Sequence, residues 1–553
     1  MHVFIKFTRM KKLFYLYMII LVCSCTKELN KLPLDAPSTE TFPATASEMQ
    51  AALVGCFSPL NLRFGENPYA IWFEMYSDIA ANRDVTPNAS WGTPTAGDVN
   101  TIWNTMYTVI SRCNFLLDHM DRVADASEEA KQNVQATARF LRAYSYSILS
   151  QLYGDVPLII KSQTLQEAYV GRNPKKEVTD FVLSELKAAA ALLPAANQPN
   201  TMNVSSGAAW ALASRVALYN EQWEDAIEAA QKVMQQEGTE YVLNPDYAAL
   251  TMLSGETSKE IIWAIQFNYN DIYHQTTLSY RSRMAGGYSN RIPVQALVDA
   301  YDCTDGLSID QSPLYDPAHP FKNRDPRLAM TIALPGSVYY GYQFETNKDS
   351  LMCWNYNVSP AVRVNNLDAT HTYASFSGYC WRKYADSSEK DPTRSEINTI
   401  IIRYAEVLLN YAEAKIEAGQ IDASVYTAIN KIRERAGMPD IASGKTSAEL
   451  RSVVRKERKV ELAGEGLRYF DIIRWKIADK VLNGPCYGRN PRGFLSVAPA
   501  IDANGTPDYS KVPDKDKMRV IQVRTFINPA NYVWPIPDIE IQTNKNLTQN
   551  PGY

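Results

Sequence analysis

Histidine is scarce, with 5 residues in a chain of 553. His119, His274, His319 and His371 are too dispersed in sequence to predict a metal site, and the cysteines include no C-x-x-C pair for zinc. The chain also has no H-E-x-x-H, no G-x-x-x-x-G-K-[ST], no G-x-S-x-G and no G-x-G-x-x-G, which removes the usual signatures of metalloproteases, nucleotide-binding loops and serine hydrolases. A glycosidase would need two carboxylates about 5–9.5 Å apart, and nothing among the 60 acidic residues singles out such a pair. The reading is a non-enzyme with no cofactor and no metal. Excess positive charge is missing too. With 56 basic residues and a net charge of -4, the chain has no bulk attraction for phosphate backbones, so nucleic acid is excluded as a main partner.

Long apolar runs are absent as well. The run at residues 13–22 follows Lys11 and Lys12 and is too short to span a bilayer. It has the layout of an export signal. It ends at Val22-Cys23-Ser24-Cys25, which resembles a bacterial lipobox with Cys25 as the acylated first residue. Residues 1–24 are therefore read as a lipoprotein signal peptide and 25–46 as a lipidated tether, rich in Pro, Thr and charge. Cys23 leaves with the signal. The six cysteines at 56, 113, 303, 353, 380 and 486 have scattered spacing and read as buried small apolar residues, with Cys353 and Cys380 the pair most worth inspecting.

What the chain does have is helix and aromatic rings. Helical signal covers 47–60, 99–121 and 128–153, where Phe140, Tyr144, Ile148 and Leu152 recur at steps of four on one face. The last of these stops at Gly154 and Pro157. Further helices are expected at 175–193, 205–220, 223–237, 399–418 and 422–436. The segment "AAWALASRVALYNEQWEDAIEAAQKVMQ" looks like a tetratricopeptide unit of ~34 residues. The fold class is mainly α: a tetratricopeptide-like helical-repeat scaffold with large irregular loop-rich inserts and a few short strands. The body spans 47–553, with scaffold at 47–240 and 396–480 and loop-rich inserts at 241–395 and 481–530. Such loops are where binding residues tend to sit. The 33 Tyr and 10 Trp supply rings suited to stacking on sugars.

In the C-terminal third, Glu457 and Glu461 share a helix face with Leu450, Val453, Val454 and Val460. Carboxylates on such a face need partners, and Arg458, Arg468 and Arg474 are nearby in sequence, so a buried ion-pair network is expected. Phe470 and Trp475 are expected in the core.

Several stretches, in order, resemble the SusD/RagB family of nutrient-binding surface lipoproteins of Bacteroidetes. They are the lipobox at Cys25, "LPLDAPSTETFPATASEMQAALVGCF", "ATARFLRAYSYSILSQLYGDVPLI", "NRDPRLAMTI", "YAEVLLNYAEAKIEAG", "ERKVELAGEGLRYFDIIRWK" and "YVWPIPDIEIQTNKNLTQNPGY". The resemblance covers essentially the whole mature chain. It implies a lipid-anchored protein, exposed on the cell outer membrane, that captures an oligosaccharide and passes it to a SusC-like TonB-dependent transporter. Peptides or glycoprotein fragments are the alternative cargo, and a surface hydrolase is the more distant one. The family motifs are scaffold motifs and carry over no ligand-binding residue. By region, an aromatic binding arc corresponds to "EMYSDIAANRDVTPNASWGTPTAGD". There Trp91 sits among small polar residues, with Asp78 and Arg83 as candidate partners for sugar hydroxyls. Tyr273, Tyr288, Trp354 and Tyr356 are added from the middle insert.

Overall fold

The structure, a computed structural model, describes residues 41–65, 67–83, 96–389 and 391–553. The first helix, α1 (Ala46–Phe57), opens on a reciprocal cap. The Thr45 hydroxyl accepts from the Glu48 N–H, and the Glu48 carboxylate accepts from the Thr45 N–H. There follow α2 (Ala96–His119), α3 (Glu128–Tyr153), α4 (Lys175–Ala190), α5 (Ser206–Tyr219) and α6 (Trp223–Met234). After the middle insert come α7 (Tyr404–Glu417), α8 (Ala423–Arg435), α9 (Ser447–Glu461) and α10 (Arg468–Arg474).

From α2 to α8 each helix packs on the next, the architecture expected of helical hairpin repeats. The array runs on across the insert, because α6 packs directly on α7 although residues 235–403 intervene. A buried ion pair fastens the same junction. Arg215 of α5 donates from Nε and Nη2 to the two oxygens of Glu406 on α7, each at 2.6 Å. On α3 the expected face is formed. Phe140, Tyr144 and Leu152 are buried and Ile148 is half-buried. Phe140 and Tyr144 meet the Trp263 ring edge-on at 4.8 and 4.9 Å.

Trp263 belongs to a strand, Ile261–Ile265, that pairs antiparallel with Thr399–Arg403. Residues 399–403 were expected to begin a helix. They are extended, because the β-branched run Thr399-Ile400-Ile401-Ile402 finds a partner strand, and the helix starts at Tyr404. This ribbon ties both ends of the insert to the scaffold.

The ion-pair network exists, with different partners from those expected. Glu457 pairs with Arg327 and Arg433, and Glu461 with Arg327, Arg403 and Arg435. Arg458 and Arg474 instead share Glu413 and Asp471. Arg468 goes to Asp78. Phe470 is buried, whereas Trp475 is half-buried between guanidinium groups and donates its Nε1–H to Glu413 at 2.7 Å. Gly466 lies in this region with φ 79, and a Cβ there would fall 1.8 Å from the Ala70 carbonyl oxygen. Only glycine allows that approach. All six described cysteines are buried and form no disulfide, Cys353 and Cys380 included. No described helix is long and apolar enough to cross a membrane.

Candidate functional site: an arginine-clipped aromatic surface

Two short strands build the rim of the site. β1 (Ala80–Asn82) pairs antiparallel with β2 (Arg291–Pro293), with Asn82 opposite Arg291. The ladder continues one step, because the Arg83 N–H donates to the Asn290 carbonyl at 2.7 Å. Arg83 therefore stands at the end of one strand, and Tyr288 lies just ahead of the other. A third piece of chain, residues 366–378, follows the strand Val362–Asn365 and brings His371, Tyr373 and Phe376.

Arg83 joins these pieces. Its Nη1 donates to the Tyr288 carbonyl and to the Tyr373 carbonyl, both at 2.5 Å. Its guanidinium lies 5.3 Å from the Tyr373 ring centroid and 5.9 Å from that of Phe376. The two tyrosines are held by their backbones, and as residues they stay 41% and 58% exposed. The Arg519 guanidinium covers Phe376 at 3.6 Å. His371 accepts the Tyr373 N–H at Nδ1 (3.0 Å), and its Nε2 is 3.4 Å from Arg283. Asp368 fixes the start of the segment by accepting the N–H groups of Arg283 and Met284 at 2.7 and 3.2 Å. Burial lifts its carboxyl to about 6, although these hydrogen bonds oppose the rise.

The other candidates are distributed around the molecule. Asp78 is 6% exposed, and its oxygens are taken by Arg468 (2.7 and 3.0 Å) and Lys459 (3.3 Å). Burial pushes its carboxyl up, but the two cations outweigh burial and hold it well below the usual range. It is a buried ion-pair member with both oxygens engaged by cations, which removes it from the candidate sugar contacts. Tyr273 is half-buried, with the Arg63 and Arg394 guanidinium groups 5.8 and 4.7 Å from its ring centroid. Trp354 and Tyr356 are exposed on and beside a four-stranded sheet, where Arg363 stands opposite Trp354 at 5.3 Å. Trp91 and Cys25 lie outside the described residues. Sequence reasoning missed Tyr373, Phe376 and Arg519. The stretch His371-Thr-Tyr-Ala-Ser-Phe-Ser-Gly carries the same signal that singled out Trp91, large rings among small polar residues.

Among the described residues no group of three or more His, Cys, Asp or Glu is placed to hold a metal ion. Glu457 and Glu461 are 3% and 0% exposed and fully engaged by arginines, so neither has access to a substrate.

The SusD family pattern matches residues 259–553, more than half of the chain. The chain belongs to the SusD/RagB family. A second pattern, described as starch-binding associating with outer membrane, matches residues 65–218. Arg83 falls in the second match, and Tyr288, Tyr373 and Arg519 fall in the first. SusD-like protein P2 of Formosa agariphila is 26% identical over 98% of this chain and 99% of its own. A SusD-like carbohydrate binding protein from Bacteroides fragilis is 28% identical, covers 91% of this chain and 99% of its own, and superposes with a TM-score of 0.78. Surface glycan-binding protein A from Bacteroides thetaiotaomicron, solved with laminarihexaose, shares the SusD fold at 18% identity, with 92% of this chain and 99% of its own covered and a TM-score of 0.63.

Proposed function

We propose that this SusD/RagB protein is a surface glycan-binding lipoprotein. Cys25 carries the lipid anchor at the outer membrane. The surface around Tyr288 and Tyr373 captures an oligosaccharide, and Trp91 is a further ligand contact expected from the sequence. The cargo then passes to a SusC-like TonB-dependent transporter. No catalytic step is part of the reading.

The observation that carries it is the pair of exposed tyrosine rings whose backbones are clipped by one guanidinium. An exposed ring loses apolar contact to water unless something covers it, and the apolar face of a sugar is a suitable cover. Rings held in advance lose little freedom on binding. The carbohydrate-binding relative at 28% identity and the starch-binding description of the 65–218 match support the ligand class.

The test is calorimetry against a panel of neutral and acidic oligosaccharides and peptides, with Tyr288→Ala and Tyr373→Ala beside the parent. Each substitution removes a ring and keeps the carbonyl that Arg83 needs. Glycan binding weakened about tenfold or more by either change, with an unmoved melting temperature, is expected. Binding of peptides alone would overturn the glycan reading, and appearance of shorter sugars on incubation would overturn the absence of catalysis.

A further inference from the structure

The first helix is held to the body by few buried side chains. Of the 12 residues of α1, Met49 and Cys56 are the buried ones. α1 packs on α2, and Arg112 of α2 donates from Nη1 to the Gly55 carbonyl of α1 at 2.6 Å. The residue after each partner of that bond is a cysteine. Cys56 and Cys113 are both 0% exposed. Their thiols lie against each other, within side-chain hydrogen-bonding reach. The Cys56 thiol also has the Ala52 carbonyl at 3.4 Å. The groups that act on Cys353, Cys380 and Cys486 are charged side chains, with no second cysteine among them. The thiol contact thus falls on Cys56 and Cys113 and not on the pair singled out from sequence.

Two thiols in contact across neighbouring helices meet the first geometric requirement of a disulfide, close approach of the sulfur-bearing side chains. Such a bond persists in an oxidising compartment, which is where an export signal sends a chain. It would also act where it matters. The loop between the two cysteines is long, so a link across it removes much freedom from the unfolded chain. The segment ahead of α1 has the composition of a tether, so α1 is where the body meets its anchor.

We propose, building on the lipoprotein reading of the N-terminus, that Cys56 and Cys113 form a disulfide in the mature protein, a staple that fastens the helix next to the tether to the scaffold.

The oxidant is a disulfide donor of the thiol–disulfide exchange class. One cysteine thiolate attacks the donor disulfide and displaces one donor sulfur as a thiol. The second thiolate then attacks the mixed disulfide, joins Sγ to Sγ and displaces the other donor sulfur. The two cysteines lose two electrons and two protons, and the donor gains both as two thiols. Burial, and then Cys56, hold the Cys113 thiol well above its usual range, so the folded protein has little thiolate there. The exchange therefore belongs to folding, before α1 docks, and docking then shields the bond from reduction.

The full mature chain carrying Cys25→Ala, which removes a competing thiol, is refolded with oxidised and reduced glutathione. Free thiols are blocked with iodoacetamide and the peptides mapped by mass without reduction. A cross-link between Cys56 and Cys113, with Cys303, Cys353, Cys380 and Cys486 alkylated, is expected. The linked protein should melt about 2 °C or more above the same protein refolded in reductant. That difference should vanish in Cys113→Ala. If this variant fails to fold, the cross-link map of the parent decides alone. The same map is made on the parent chain from native outer membranes, blocked at lysis, and the same cross-link is expected.

Alkylation of both Cys56 and Cys113 after refolding, or a cross-link from either to another cysteine, would overturn the staple. A chain recovered acylated from membranes with Cys56 and Cys113 both alkylated would overturn it too and leave the lipoprotein reading standing. A cross-link on refolding in a chain never found at the membrane would uphold the pairing and overturn the lipoprotein reading.

Discussion

One nitrogen of Arg83 serves Tyr373 and Tyr288 together, accepted by both backbone carbonyls at 2.5 Å, while the guanidinium also faces the Tyr373 ring. The two tyrosines come from different segments, which Ser289 Oγ to the Tyr373 carbonyl (3.4 Å) and Asp368 to the Arg283 and Met284 N–H groups also join, and Arg83 is the side chain that holds both tyrosine backbones at once. Arg83→Ala should therefore weaken glycan binding about tenfold, through misplacement of rings that are themselves intact. Arg83→Lys should recover only part of the loss, because an ammonium lacks the planar fork that stacks on the ring. Calorimetry on the three proteins checks this, and full recovery by lysine would reduce the role of Arg83 to its charge.

Trp91 is the strongest aromatic candidate from sequence. Trp91→Ala is expected to weaken the cognate glycan about tenfold or more with little change in melting temperature. A core tryptophan would do the reverse and lose about 3–5 kcal/mol of stability. Affinity and melting temperature measured on one sample distinguish the two.

Cys25→Ala should yield a folded protein without acyl chains that leaves the membrane fraction. The expectation rests on the lipobox pattern Val22-Cys23-Ser24-Cys25 and on the tether-like composition of residues 26–46. Mass measurement after fractionation reads both consequences, and a variant still firmly in the membrane would contradict the anchor.

Asp78 holds Arg468 and Lys459 together in the interior, so Asp78→Asn leaves buried positive charge uncompensated. A loss of about 3–5 kcal/mol is expected from denaturant unfolding at neutral pH. The pH dependence has a definite sign. The folded carboxyl is held below its ordinary value of 3.8, so its stabilisation is complete above that pH and fades as the pH falls toward the folded value. The gap between parent and Asp78→Asn should therefore narrow below about pH 4. A gap that stays constant through acid would mean that the ion pair adds nothing.

Residue order along the chain was sufficient for the repeat character, the family and most of the helices, though the helix expected from 399 begins at Tyr404 after a strand. Helix faces such as Phe140-Tyr144-Leu152 are local patterns of period 3.6, and caps such as Thr45 with Glu48 are set by residues three apart. The need of Glu457 and Glu461 for basic partners was equally legible, because a carboxylate on an apolar face cannot stand alone. Which arginines answer was decided by the path of the chain. Arg327 and Arg403 arrive from the insert and its closing strand, far from the sequence neighbours Arg458, Arg468 and Arg474. The same path took Asp78 out of the ligand surface and into an ion pair with Arg468, 390 positions away. It also assembled Arg83, Tyr288, Tyr373 and Arg519, which no local spacing connects. Periodicity reports what a residue's immediate neighbours dictate. Charge pairing and ring clustering act across space at a few ångströms, so they are settled only when distant segments pack against one another.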